Sequence, residues 1–135
     1  MLITRESDYA LRILRALSEG EQVTVGEICQ RECLPQQFAY KVLRKLSKAG
    51  LVKVTRGAEG GCRLTEDLKA VSLYELLQIM EEDGRVISCM EPDFHCQRRE
   101  DCGGCVAHQE LAKVQASLDR ELKAHSLEEI LHGKT

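Results

Sequence analysis

A mainly α-helical fold with one small β-hairpin is what this sequence predicts: a winged helix-turn-helix domain followed by a long C-terminal dimerisation helix. Three observations carry that expectation. Three segments with helical apolar spacing and start signals precede residue 50, two short β-prone runs flank a glycine-rich turn, and one long apolar stripe follows Cys105.

The first helix is expected from about Arg5 to Ser18, with Thr4 as its cap and Gly20 as its stop. Its apolar positions Ala10, Ile13, Leu14 and Leu17 recur at the spacing of one buried face. Thr24-Val25-Gly26-Glu27 is a capping box and starts a second helix over about Val25 to Glu32. Cys29 and Cys33, four apart there, read as small buried hydrophobes. Pro35 opens a third helix ending near Gly50, with Phe38, Ala39, Val42, Leu43 and Leu46 as its inward stripe. Leu51 to Thr55 reads as a strand, Arg56 to Gly61 as a glycine-rich turn and Cys62 to Leu64 as the returning strand. Ser72-Leu73-Tyr74-Glu75 is another capping box, for a helix to about Glu82, and an irregular segment follows through Gly104. The long helix runs from Cys105 to about Ala124. Leu111, Val114, Leu118 and Leu122 share one of its faces, while Glu110, Lys113, Asp119 and Glu121 lie in water. A stripe of that kind calls for a partner, and a two-fold homodimer through it would set two recognition helices on successive half-sites; packing of the stripe back on its own domain is the alternative. The division expected is residues 1-66 for the winged helix-turn-helix and 67-135 for the cysteine loop and dimerisation helix.

Composition narrows the function classes. The chain has 135 residues, 43% of them apolar, enough for one modest core. No apolar run approaches the roughly 18 to 20 residues that span a bilayer, and Arg5, Glu6 and Asp8 near Met1 exclude a signal-peptide core, so a cytoplasmic location without membrane partners is expected. The net charge of -3 hides an asymmetry. Lys and Arg exceed Asp and Glu by 11 to 7 through Leu64 and trail them by 8 to 15 afterwards, giving halves of about +4 and -7. A basic half suits nucleic-acid phosphate. The third helix supplies the readers: Gln36, Gln37, Tyr40, Lys41 and Arg44 present amide, phenol and cationic donors on its outer face, with Lys45 and Lys48 alongside. Arg56, beside the wing tip, suits a narrow minor groove. The sequence has no paired-carboxylate or Ser-His-Asp signature and no dinucleotide fingerprint, so an enzyme is not expected.

Four of the seven cysteines, Cys89, Cys96, Cys102 and Cys105, fall within seventeen residues. An odd count in a reducing compartment argues against a disulfide framework, and clustered thiolates are soft donors for zinc or for iron-sulfur iron. Zinc held by the four sulfurs, or a thiol redox switch, is the alternative to a cluster.

Five features in order resemble the IscR/NsrR-type iron-sulfur transcriptional regulators: Met1 to Thr4 with Asp8 to Arg12, Gly50-Leu51-Val52, the Arg56-Gly57-x-x-Gly60-Gly61-x-x-Leu64 wing, the cysteine loop, and Ser126 to Ile130. The resemblance spans nearly the whole chain. It implies a dimeric winged helix-turn-helix protein that binds double-stranded promoter DNA, with a 2Fe-2S or 4Fe-4S cluster that alters DNA affinity when gained, oxidised, nitrosylated or lost. Some members of that family regulate cysteine metabolism without a cluster. Cys89 and Cys96 match the first two family cysteines, with a gap one residue longer than usual. Counting forward makes Cys102 the third ligand, and counting back from Ser126 makes it Cys105. The second count aligns Cys105-Val106-Ala107-His108 with a Cys-x-x-His ending in which His108 is the fourth ligand. Asp8 matches a position that supplies a carboxylate across the dimer, and is equally an ordinary first-turn helix carboxylate. No role follows for His95, while His125 and His132 are expected in solvent.

Overall fold

The apolar residues expected at the centre of the first helix are among the most buried of the described residues. In the computed structural model, which describes residues 2-80 and 82-134, helix α1 spans Arg5–Ala16, and Ala10, Ile13, Leu14 and the following Leu17 are fully inaccessible. The helix stops two residues earlier than expected, and the chain tightens through the bond from Gly20 N to Leu17 O before Gly20 takes φ 83°. Thr4 occupies the cap position, but its hydroxyl bonds no helix amide. It donates to the Glu82 carboxylate instead, as does the fully buried Ser7 at 3.1 Å. The first turn of α1 is thereby tied to the chain that leaves the fourth helix.

Helix α2, Val25–Glu32, starts where expected, with Thr24 Oγ1 accepting from Glu27 N at 3.2 Å, but only that half of the expected capping box forms, while the Glu27 carboxylate lies 3.6 Å from Arg31. It ends at Cys33, which adopts the left-handed conformation at φ 56°. The expectation that Cys29 and Cys33 are both buried is therefore corrected. Cys29 is half-buried against the core, while Cys33 lies beyond the last helical turn, where four-residue spacing no longer defines a face, and is exposed. Helix α3, Gln36–Lys48, buries Ala39, Val42, Leu43 and Leu46. Phe38 does not join that stripe. One helical step off it, the ring stays 37% exposed and leans on Tyr9 with centroids 5.9 Å apart.

Strands β1, Val52–Thr55, and β2, Gly61–Leu64, form the antiparallel wing, with Val54 opposite Cys62 and Lys53 opposite Arg63. Val23, just before α2, adds a bridge to β2 through paired bonds with Cys62 of 2.8 and 2.7 Å, which binds the wing to the helix-turn-helix. Helix α4, Leu73–Ile79, carries a complete capping box between Ser72 and Glu75. It ends short of the expected Glu82. The following loop is less irregular than expected, containing a 3-10 turn over Ser88–Met90 and the short helix α5, Gln97–Asp101. Helix α6, Val106–Ala124, has the expected bounds, but of its apolar stripe Leu122 is buried in the chain's own core with Leu118 packed against that core, so only part of the stripe is left for a partner. Helix α7, Leu127–His132, follows, capped by Ser126.

Leu73 N donates to His125 O at 2.9 Å and Leu127 N to Val71 O at 2.8 Å, docking the end of α6 beside the start of α4. The buried side chains form one continuous cluster from Ala10 to Leu127. Among the described residues, no helix is long and apolar enough to cross a membrane.

Candidate nucleic-acid interface and cysteine loop

The outer face of α3 is exposed at Gln36, Gln37, Tyr40, Lys41 and Arg44, as expected from the sequence. Burial of Ala39, Val42, Leu43 and Leu46 forces this, because a helix that commits one stripe to the core turns the other outward. Tyr40 is 51% exposed, and its hydroxyl lies 3.4 Å from Gln36 Nε2. A groove of about 980 Å³ separates α3 from the wing. Tyr40, Arg44, Ser47 and Lys48 line one side, Thr55 to Ala58 with Gly60 and Gly61 line the other, and Thr24 to Gly26 close the end. Arg44 and Arg56 thus face one concavity, while Gln36 and Gln37 stand outside it toward the start of α3 and Lys41, between Tyr40 and Arg44 in sequence, turns away from it to Glu6 of α1. Sequence reasoning passed over Thr24, Ser47 and Thr55, which bring hydroxyls to this groove.

The wing tip depends on glycine at two points. Gly57 takes φ 106°, and a Cβ on Gly60 would lie 2.4 Å from Thr55 O and 2.9 Å from Gly57 O. Gln22 Nε2 donates to Glu59 O at 2.8 Å, bracing the tip against the chain before α2. Lys53 and Arg63 are directly opposed on the exposed face of the hairpin, like charges whose opposition disfavours that pairing.

Two lysines of α3 meet an anion within the protein. Glu6 Oε1 is 2.5 Å from Lys41 Nζ and Oε2 is 3.0 Å from Lys45 Nζ. Those bonds, to Lys41 first and then Lys45, hold the Glu6 carboxyl below its usual range.

The cysteine loop distributes its thiols over element ends. Cys89 sits in the 3-10 turn, Cys96 and Cys102 flank α5, and Cys105 caps α6. Cys89 Sγ lies 3.3 Å from His108 Nδ1, and Arg98 Nη1 is 4.0 Å from Cys102 Sγ. Arg99 Nη1 approaches the His108 ring at 3.2 Å, and its Nη2 donates to Phe94 O at 3.2 Å, joining the loop to α6. Asp8 is not drawn to the thiols, its carboxylate pairing with Arg12 at 3.2 Å. His95 pairs with Glu100 at 3.0 Å, and His132 is exposed as expected. His125, expected in solvent, is instead half-buried between Glu121 and Glu129. Among the described residues no three His, Cys, Asp or Glu side chains converge into one ligand sphere. The donor types suit a soft metal centre, and of the expected ligands Cys89 and His108 are in contact within the single chain. All seven thiols are unpaired, and burial pushes those of Cys62 and Cys29 up.

Comparison with known proteins agrees with this architecture. The HTH-type transcriptional regulator NsrR of Bacillus licheniformis is 29% identical over 107 residues, covering 76% of this chain and 75% of that protein. The structure of T. potens IscR superposes with a TM-score of 0.68 at 21% identity, over 97% of this chain and 86% of that one. CymR, the global cysteine regulator of B. subtilis, gives 0.71 at 22% identity over 100% and 99%. At such identities the two structures speak for the fold alone. The family model for Rrf2, described as an iron-dependent transcriptional regulator, matches residues 3–133. The chain belongs to the Rrf2 family and is a winged-helix DNA-binding transcriptional regulator, not an enzyme.

Proposed function

We propose that this regulator binds double-stranded promoter DNA as a homodimer and that an iron-sulfur cluster (2Fe-2S or 4Fe-4S) on its cysteine loop modulates the affinity. The observation that carries the DNA part is the shared groove between α3 and the wing, with Arg44 on one wall and Arg56 on the other. Gln36, Gln37, Tyr40, Lys41 and Arg44 enter the major groove, where amide and guanidinium forks read purine edges. Arg56 follows the phosphate backbone toward the adjacent minor groove. Homodimerisation is supported by α6, which leaves Val106 73% and Val114 53% exposed beside half-buried Leu111 and Leu118. Apolar surface of that kind is stabilised by a second copy.

For the sensor, Cys89, Cys96, Cys102 and Cys105 are the proposed ligands, with His108 or Asp8 as a fourth donor where one thiol is not used. A thiolate-bound iron-sulfur group supplies reactivity toward oxygen and nitric oxide. The chain's own residues carry the response. Gln115 Nε2 donates to Gly84 O at 2.8 Å while its Oε1 accepts from Val86 N at 2.7 Å, so the start of the loop is clamped to the middle of α6. Arg99 ties the far part of the loop to the first turn of α6. Ordering the loop therefore bears on the helix proposed to join the protomers, and a change in its angle resets the spacing of the two α3 helices.

The test is anaerobic purification with visible absorption, iron and sulfide analysis, and promoter affinity with and without the inorganic centre. Protein free of iron and sulfide even after reconstitution removes the cluster reading. Equal affinity in both states removes the sensing step and leaves DNA binding standing. A second reading, zinc or thiol redox in the same loop, is favoured by exposed Cys102 beside Arg98 and by the open arrangement of the sulfurs. Stoichiometric zinc, or a reversible disulfide in metal-free protein, supports it.

A further inference from the structure

We infer that Glu6 is an internal competitor of DNA phosphate, which holds back Lys41 and so limits how many phosphates the recognition helix neutralises. The inference rests on the proposed DNA-binding role of Lys41 and adds a residue that regulates it. Glu6 lies in the first turn of α1, where the helix dipole favours a carboxylate, and its side chain is 26% exposed. One oxygen meets Lys41 and the other Lys45. The two lysines are not equivalent. Lys45 is 25% exposed and, among the described residues, donates to Met80 O at 3.3 Å as well as to Glu6, so its ammonium is held inward. Lys41 is 60% exposed on the outer face of α3, and an ion pair with so much solvent around it is weak enough to exchange. When phosphate takes Lys41, Glu6 keeps Lys45 as counterion and no carboxylate is stranded. The anion also sits at a junction. Met80 caps α4 and accepts from Lys45, and Thr4 and Ser7, in the same turn as Glu6, hold Glu82, so the neighbours of Glu6 connect it to the chain that leads into the cysteine loop.

The experiment compares the native protein, Glu6→Gln, Lys41→Gln and the double variant, binding a mixed-sequence duplex of about three helical turns across a range of salt. Each phosphate neutralised contributes about 0.9 to the slope of log affinity against log salt. Glu6→Gln is expected to steepen the slope by up to about 0.9 per bound protomer, less the fraction of native complexes in which phosphate already takes Lys41. Lys41→Gln is expected to lower it by about that amount in the Glu6→Gln background and by clearly less in the native background. An unchanged slope in Glu6→Gln overturns the inference, as does an equal loss from Lys41→Gln in both backgrounds. Should Glu6→Gln unfold, as read by thermal denaturation, Lys41→Gln alone decides: a loss of one full contact overturns the inference, and a smaller loss supports it. Failure of the DNA reading looks different. The native protein would then bind the duplex no better than an Arg44→Ala, Arg56→Ala variant and without salt dependence, and both proposals would fall.

Discussion

Cys89 Sγ and His108 Nδ1, nineteen positions apart, lie within 3.3 Å and join the 3-10 turn of the loop to the first turn of α6. A thiol and an imidazole in contact are two iron- or zinc-type donors already brought together, with Cys105 one helical turn before His108. Cys89→Ala is expected to abolish retention of iron and sulfide in anaerobically prepared protein. His108→Ala is expected to lower iron content while leaving DNA binding by the metal-free protein intact. Full iron and sulfide in Cys89→Ala would remove this residue from the ligand set.

Arg44 and Arg56 face one groove from opposite walls, yet substitution should separate them. Arg44 is on the helix proposed to reach base edges, so Arg44→Ala is expected to cost about 1–3 kcal/mol on the preferred promoter and to relax sequence preference. Arg56 is on the wing, and Arg56→Ala is expected to weaken binding to all sequences alike, lowering the salt slope by about 1. Affinities for one promoter and one scrambled duplex at several salt concentrations check both. Identical losses on the two duplexes for Arg44→Ala would take it off the base-reading surface.

The helices and the hairpin were legible because periodicity and capping are local. Ala10, Ile13, Leu14 and Leu17, the Thr24 and Ser72 caps and the glycines of the wing all act within a few residues of themselves. What could not be read was long-range. Thr4 has a cap residue's chemistry but gives its hydroxyl to Glu82, and Gln115 looks like one more polar helix position until the chain at Gly84 and Val86 folds against it. Phe38 fits a five-residue apolar list, and only the position of Tyr9 shows that its ring lies at the margin. The outward residues of α3 were legible because its buried stripe fixes the opposite face. The ligand set was not, because spacing along a loop does not determine which sulfurs meet. The contact there between two expected ligands, Cys89 and His108, runs through the return of α6.

His125 gives the C-terminal docking a pH dependence. Its Nε2 lies 2.9 Å from Glu121 and its Nδ1 3.2 Å from Glu129, so both ring nitrogens have an anionic acceptor when the imidazolium forms. These bonds, to Glu121 first and then Glu129, raise its pKa above the usual 6.5. A pKa raised on folding means that the contribution to stability is fully present below the unfolded value and fades as pH rises through the folded one. The melting-temperature difference between native protein and His125→Gln is therefore expected to be largest below about pH 6.5 and to shrink toward pH 8. A difference that grows with pH would contradict the assignment.

Cys33 offers a test of strain at the turn into the recognition helix. It ends α2 at φ 56° and ψ 50°, a conformation in which a Cβ crowds the following carbonyl at a cost of about 1–2 kcal/mol. Its exposed side chain gains little burial in return. Cys33→Gly removes the crowding, and the extra freedom of glycine in the unfolded chain takes back about 0.4–1 kcal/mol. A net gain of about 0.5–1 kcal/mol is expected, raising the melting temperature by about 2–5 °C for a domain of this size. Cys33→Ala separates strain from the loss of the thiol, because alanine keeps the Cβ and is expected to melt close to the native protein. If alanine stabilises as much as glycine, the thiol and not the backbone is the source of the effect. If glycine gives no gain, the left-handed end of α2 is not strained as its dihedral angles imply.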